Sequence, residues 1–145
     1  MNIKFIDDLT FNIYIKKEKL KNVNIENKDE IEKYLKTLIS NLKSKYKLII
    51  EGFYDVNVYV DKYYGIILNF NKEKLDYYDY FNGIEMNITI KETSFLYKVN
   101  DIPINLLTKL KVTQINDDLY LKIIKDLNQK EFMNLMEHTE KIIKI

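Results

Sequence analysis

Ile84, Met86, Ile88 and Ile90 alternate without a break with Glu85, Asn87, Thr89 and Lys91. Period two sends the two sets to opposite faces of an extended chain, so this segment reads as a strand with one buried face and one wet face. The same period recurs in Phe11, Ile13 and Ile15 against Asn12 and Tyr14. It returns in Val56, Val58 and Val60 against Asp55, Asn57 and Tyr59. A chain that repeats this pattern is committed to sheet, and the residues between the runs set how the strands connect. Asp7-Asp8 sits between Ile3–Ile6 and the Phe11–Ile15 run. Asp61-Lys62-Tyr63-Tyr64-Gly65 follows the long run Leu48–Asp61 and precedes Ile66, Leu68 and Phe70. Asn116-Asp117-Asp118 separates Lys111–Ile115 from Leu119–Ile124. Each is turn chemistry and predicts a hairpin. Thr93-Ser94 is read the same way, turning the Ile84–Ile90 strand back into Phe95, Tyr97 and Val99. Gly52, inside the Leu48–Asp61 run, marks a bulge or a close backbone approach.

Two segments break the period. After Asn27-Lys28-Asp29-Glu30, a capping-box pattern, Ile31, Tyr34, Leu35, Leu38, Ile39, Leu42 and Tyr46 fall at steps of three and four. This predicts a helix over about 28–45. Asn128-Gln129-Lys130-Glu131 repeats the cap before Phe132, Leu135, Met136, Ile142 and Ile143, predicting a second helix over about 129–143. The fold class that follows is α+β, a mostly antiparallel sheet of hairpins with two packed amphipathic helices. No Ser-, Gly- or Pro-rich linker interrupts the chain, so we read one domain over 1–145. The only candidate seam lies near 71–82, and two small halves are the alternative.

The 145 residues are 46% hydrophobic and 31% charged, enough apolar chain for a real core and too little net charge for disorder. The 23 basic and 22 acidic residues nearly cancel, and every basic residue is Lys. General attraction to phosphate polymers is thereby removed, and the arginine fork that reads guanine edges is absent. Cys 0 and His 1 exclude disulfide frameworks, thiol nucleophiles and zinc sites built on Cys or paired His. The lone His138, flanked by Glu137 and Glu140, reads as an exposed side chain. Gly52, Gly65 and Gly83 are too far apart for a phosphate loop or a dinucleotide fingerprint. No cofactor and no metal site is expected. Met1–Ile15 carries Lys4, Asp7 and Asp8 where a secretory signal would be apolar, which reads as cytoplasmic; no membrane span is expected.

Three constellations remain. Tyr77, Tyr78, Tyr80 and Phe81 crowd one segment with Asp76 and Asp79, and Tyr63 and Tyr64 lie in the preceding turn. Exposed Tyr gives large amphipathic contact area at low rotamer cost, so these six aromatics are a candidate protein-interaction patch. The alternative is that their rings cap the core with hydroxyls in water. Lys43, Lys45 and Lys47 around Tyr46 form a candidate platform for single-stranded nucleic acid, disfavoured by the charge balance. Asp55, Asp61, Asp76, Asp79, Asp117 and Asp118 would serve a small hydrolase or transferase only if folding drew them together. We assign no catalytic residue.

The fragments Glu51-Gly52-Phe53-Tyr54-Asp55-Val56, Tyr64-Gly65-Ile66, Leu75–Phe81 and Leu119-Tyr120-Leu121-Lys122-Ile123 resemble uncharacterised proteins from AT-rich Bacillota genomes. The resemblance implies a bacterial cytoplasmic setting and no particular chemistry. The reading is a non-enzymatic protein-interaction or adaptor module with an unknown protein partner or a second copy, paired through an open sheet edge. Whether it is an enzyme stays open, leaning to no.

Overall fold

The computed structural model describes residues 2–46, 50–73 and 84–144, with Tyr46 described for its backbone alone. The chain forms two compact units, Met1–Glu92 and Thr93–Ile145. The division falls at Glu92/Thr93, whereas most of the candidate seam at 71–82 lies outside the described residues. Among the described residues no helix is long and apolar enough to cross a membrane.

The first unit is a five-stranded sheet with a helix on one face. In chain order its elements are β1 (Asn2–Phe5), β2 (Thr10–Lys16), a 3-10 turn (Lys17–Leu20), α1 (Lys28–Tyr46), β3 (Gly52–Asp61), β4 (Gly65–Lys72) and β5 (Ile84–Glu92). The sheet order is β1-β2-β4-β3-β5. The Asp7 turn closes the first hairpin, its carboxylate accepting from the Leu9 N–H at 2.8 Å. Asp61 closes the β3–β4 hairpin by accepting from the Tyr63 and Tyr64 N–H groups at 2.9 and 2.8 Å. Both turns hold the expected pairings, antiparallel throughout. Gly52 begins β3, at φ +112°.

Helix α1 starts where the cap pattern places it, with the Asn27 side chain accepting from the Asp29 and Glu30 N–H groups. Glu30 reaches further back than a capping box requires and accepts from the Asn24 N–H at 2.8 Å. Ile31, Leu35, Ile39 and Leu42 form its buried stripe. They pack with Phe11, Ile13, Ile15, Val56, Val58, Ile66, Leu68, Phe70 and Ile88 into one core. Phe11 stacks on Phe70 at 4.6 Å between centroids, and Tyr54 meets both rings edge-on.

Strand β5 corrects the hairpin reading. It pairs parallel to β3, Gly52 opposite Ile84 through Val60 opposite Glu92. The reason is that both edges of β4 are already taken, by β2 and by β3. A strand that follows β4 therefore cannot pair with it, and β5 takes the outer edge of β3, where it runs in the direction of β3.

The second unit corrects two further expectations. Its elements are β6 (Phe95–Val99), a 3-10 turn (Ile104–Lys109), β7 (Leu110–Ile115), β8 (Asp118–Ile123), α2 (Gln129–Glu137) and β9 (Thr139–Lys144), with sheet order β7-β8-β6-β9. Thr93-Ser94 is not a hairpin turn. Strand β6 buries Phe95, Leu96, Tyr97 and Val99, residues of both its faces, and takes the central place between β8 and β9. The second helix ends at Glu137, not near 143. Beyond Met136 the three-and-four spacing lapses, since the next apolar residue is Ile142. His138 caps the helix with its N–H on the Leu135 carbonyl, which also accepts from the Thr139 hydroxyl at 2.8 Å. The β-branched Thr139, Ile142 and Ile143 then serve the free edge of β6 as β9.

The β7–β8 hairpin and the start of α2 agree with the sequence reading. Asn116 and Asp117 take φ of 49° and 69°, the left-handed pair of a tight two-residue turn. Asn128 and Glu131 form the full reciprocal capping box. The Tyr97 ring, fully buried, meets Phe132 edge-on at 6.0 Å.

Candidate functional site

Because α1 covers one face of the first sheet, the polar positions of every alternating strand gather on the other. The registers set Asn12 opposite Asn69 and Asn69 opposite Asn57, an amide row across three strands. Asn69 donates to the Asn12 side-chain oxygen at 2.8 Å and accepts from Asn57 at 3.4 Å. Asn71 also donates to Asn69, and the Thr10 hydroxyl donates to Asn71 at 3.3 Å. All five side chains are half-buried. Asn12 enters this network through its oxygen and Asn57 through its nitrogen. An amide N–H pair at one end and an amide oxygen at the other thus stand available to another molecule or to water.

Beside the amides runs an apolar row. Tyr14 and Tyr59 flank Ile67 in register, and Ile67 is buried though it lies outside the helix-side core. The Lys91 ammonium stands 5.7 Å from the centroid of the Tyr59 ring. On the other flank of the amides, Asn87 of β5 donates to Asp55 at 3.3 Å. The face therefore presents two half-buried phenol rings, set about the buried Ile67, and a neutral hydrogen-bonding strip, with Asp55 and Lys91 on its β3–β5 side.

Of the expected aromatic patch, Tyr77, Tyr78, Tyr80 and Phe81 lie outside the described residues. Tyr63 is half-buried in the β3–β4 turn, with the Lys62 ammonium 5.4 Å from its ring centroid. Tyr64 is 7% exposed. Burial pushes its phenol pKa up, and the neighbouring Tyr14 phenol adds to the shift. It offers little surface.

The lysine platform is dispersed where it is described. Lys43 and Lys45 sit two residues apart on α1, roughly 200° around its axis, and so do not share a face. Lys43 stands 3.9 Å from the Glu51 carboxylate. Lys47 and the Tyr46 side chain lie outside the described residues.

The carboxylates have separate structural duties. Asp55 accepts from Asn87, while Asp61 holds its turn. These two lie six residues apart along β3, about 20 Å. Asp117 occupies a left-handed turn position and Asp118 pairs with Lys98 at 3.6 Å. Asp76 and Asp79 lie outside the described residues. Among the described residues no three of His, Cys, Asp and Glu are gathered as a metal site would need.

The amide row went unmarked in the sequence reading. Asn12 and Asn57 were visible there as wet-face residues of their strands, but only the register joins them to Asn69 and Asn71. No family model matches the chain, and comparison with curated proteins and with solved structures gives no match.

Proposed function

We propose that this chain is a non-enzymatic protein-binding module whose contact surface is the face of the first sheet opposite α1. The observation that carries the reading is the Tyr14–Ile67–Tyr59 row set beside the Asn12–Asn69–Asn57 amides. Tyrosines give contact area with few rotatable bonds to immobilise, and their hydroxyls tolerate water before the partner arrives. Neutral amides match the donors and acceptors of peptide groups, and their lack of charge gives no purchase on a phosphate backbone. The 77–81 aromatic segment is a second proposed contact, and a bacterial cytoplasmic setting follows from the sequence resemblance.

Affinity capture from a bacterial lysate with the immobilised chain tests the reading. Tyr14→Ala and Tyr59→Ala should each weaken retention of the same partner by about tenfold or more, the size of a central aromatic contact. Lys141→Ala, in the second unit, should leave it unchanged, and Tyr78→Ala reports on the aromatic segment. Equal retention by wild type, Tyr14→Ala and Tyr59→Ala would remove this face as the contact surface.

A further inference from the structure

Among the described residues the two sheets end in four edge strands, β1, β5, β7 and β9. An edge strand presents a row of unpaired N–H and C=O groups, and proteins blunt such edges by shortness, bulges, Pro or inward-pointing charge. Strand β1 has 4 residues, and β7 and β9 have 6 each. Strand β5 has 9, with neither Pro nor Gly, and stays in register with β3 along its whole length. Its one buried residue, Ile88, lies on the core face, and its charged Glu85, Lys91 and Glu92 are exposed. Among the described residues it carries none of the usual blunting devices except those surface charges.

We propose that β5 is a self-association edge, along which two copies of this chain join antiparallel about a two-fold axis at Ile88. From Glu85 to Lys91 the strand is complementary to itself about that residue, and at its ends Ile84 meets the exposed Glu92. Ile88 meets its own copy, Asn87 meets Thr89, and Met86 meets Ile90. Glu85 meets Lys91 of the second copy, and by symmetry this pair occurs twice. Directly opposed residues share a sheet face. Met86, Ile88 and Ile90, which already pack on the core or lie in it, thus continue one apolar seam into the second copy. Asn87 and Thr89 continue the wet face.

Other axes do worse. An axis between residues would oppose core-face to wet-face side chains. An axis at Asn87 sets Glu85 against Thr89, and one at Thr89 sets Lys91 against Asn87 and Glu92 against Met86. Strand β7, Leu-Lys-Val-Thr-Gln-Ile, places no acidic residue opposite its lysine in any such pairing. The joined sheet would have ten strands with both α1 helices on one side. This dimer does not depend on the binding role of the opposite face, which could fail while β5 still pairs.

Sedimentation equilibrium of the full chain over a concentration series decides the matter. The mass should rise from 17.5 kDa towards twice that value. Glu85→Lys and Lys91→Glu each set two like charges opposite one another and should weaken the dimer by about tenfold. Both positions are exposed, so circular dichroism should show an unchanged fold. The double variant Glu85→Lys/Lys91→Glu restores opposite charges and should regain most of the wild-type affinity. A chain that stays monomeric into the hundreds of micromolar overturns the proposal. So does a dimer indifferent to both single changes, or a double variant no tighter than the singles.

Discussion

Gly65 opens β4 at φ +130°, a conformation that side chains rarely adopt. A Cβ there would stand 2.4 Å from the Ile15 carbonyl oxygen and 2.7 Å from the Lys17 nitrogen, both backbone atoms with no room to retreat. The close approach is what lets the Lys17 N–H reach the Tyr64 carbonyl at 2.7 Å. Gly65→Ala should therefore cost at least about 2 kcal/mol in urea unfolding, by strain and clash together. Gly52 gives the contrast. Its φ is +112°, but its added Cβ would meet the Cε of Lys72 at 3.0 Å, the far end of a flexible side chain. Gly52→Ala should be the milder of the two, and the reverse order would contradict the contact described at Gly65.

At the scale of elements, α2 is short enough for its ends to decide its stability. It has 9 residues, and its first turn is held by the reciprocal Asn128–Glu131 bonds at 2.8 and 3.1 Å. Asn128→Ala should cost about 1 kcal/mol and be read most clearly as faster amide exchange across 129–137. That cap, like the Asn27 cap and the Asp61 turn, was legible in the sequence because the partners lie within a few residues of each other. The failures share the opposite property. Nothing local distinguishes β5 paired with β3 from β5 paired with β6, since the choice depends on which edges β2 and β3 have already occupied. For Ile142 and Ile143 the lapse of spacing after Met136 is a local sign that the helix ends, but the strand that needs them, β6, lies some forty residues earlier. The amide row was missed for the same reason. Asn12, Asn57 and Asn69 become neighbours only when three strands settle into register.

In the molecule as a whole, the two units should respond to opposite ends of the pH scale. The Lys109 ammonium, 2.7 Å away, holds the Glu131 carboxyl below the usual carboxylate range, and the Asn128 N–H adds to this. A lowered folded value contributes stability above the unfolded value of about 4.3, and that stability is lost as pH falls through the folded one. Burial pushes Tyr34, Tyr54 and Tyr64 of the first unit upward, with the Glu51 charge adding to Tyr54. Raised values contribute stability below about pH 10, lost as pH rises through the folded values. Acid should thus loosen 93–145 first, followed by residue-resolved NMR, with Glu131→Gln flattening the response. Alkali should loosen 1–92 first, with tyrosinate absorbance rising as its sheet signal falls. Simultaneous loss of both units in acid would count against this assignment.

The units are also consecutive in the chain, and among the described residues no strand of one is inserted in the sheet of the other. On the ribosome, everything the first sheet needs has been synthesised once Glu92 is added. Translation of 93–145 then takes roughly 3–10 s at ordinary elongation rates. Part of that interval passes while β5 clears the ribosomal exit tunnel, and in the remainder the first sheet can complete itself while the second has no finished strand set to compete for its edges.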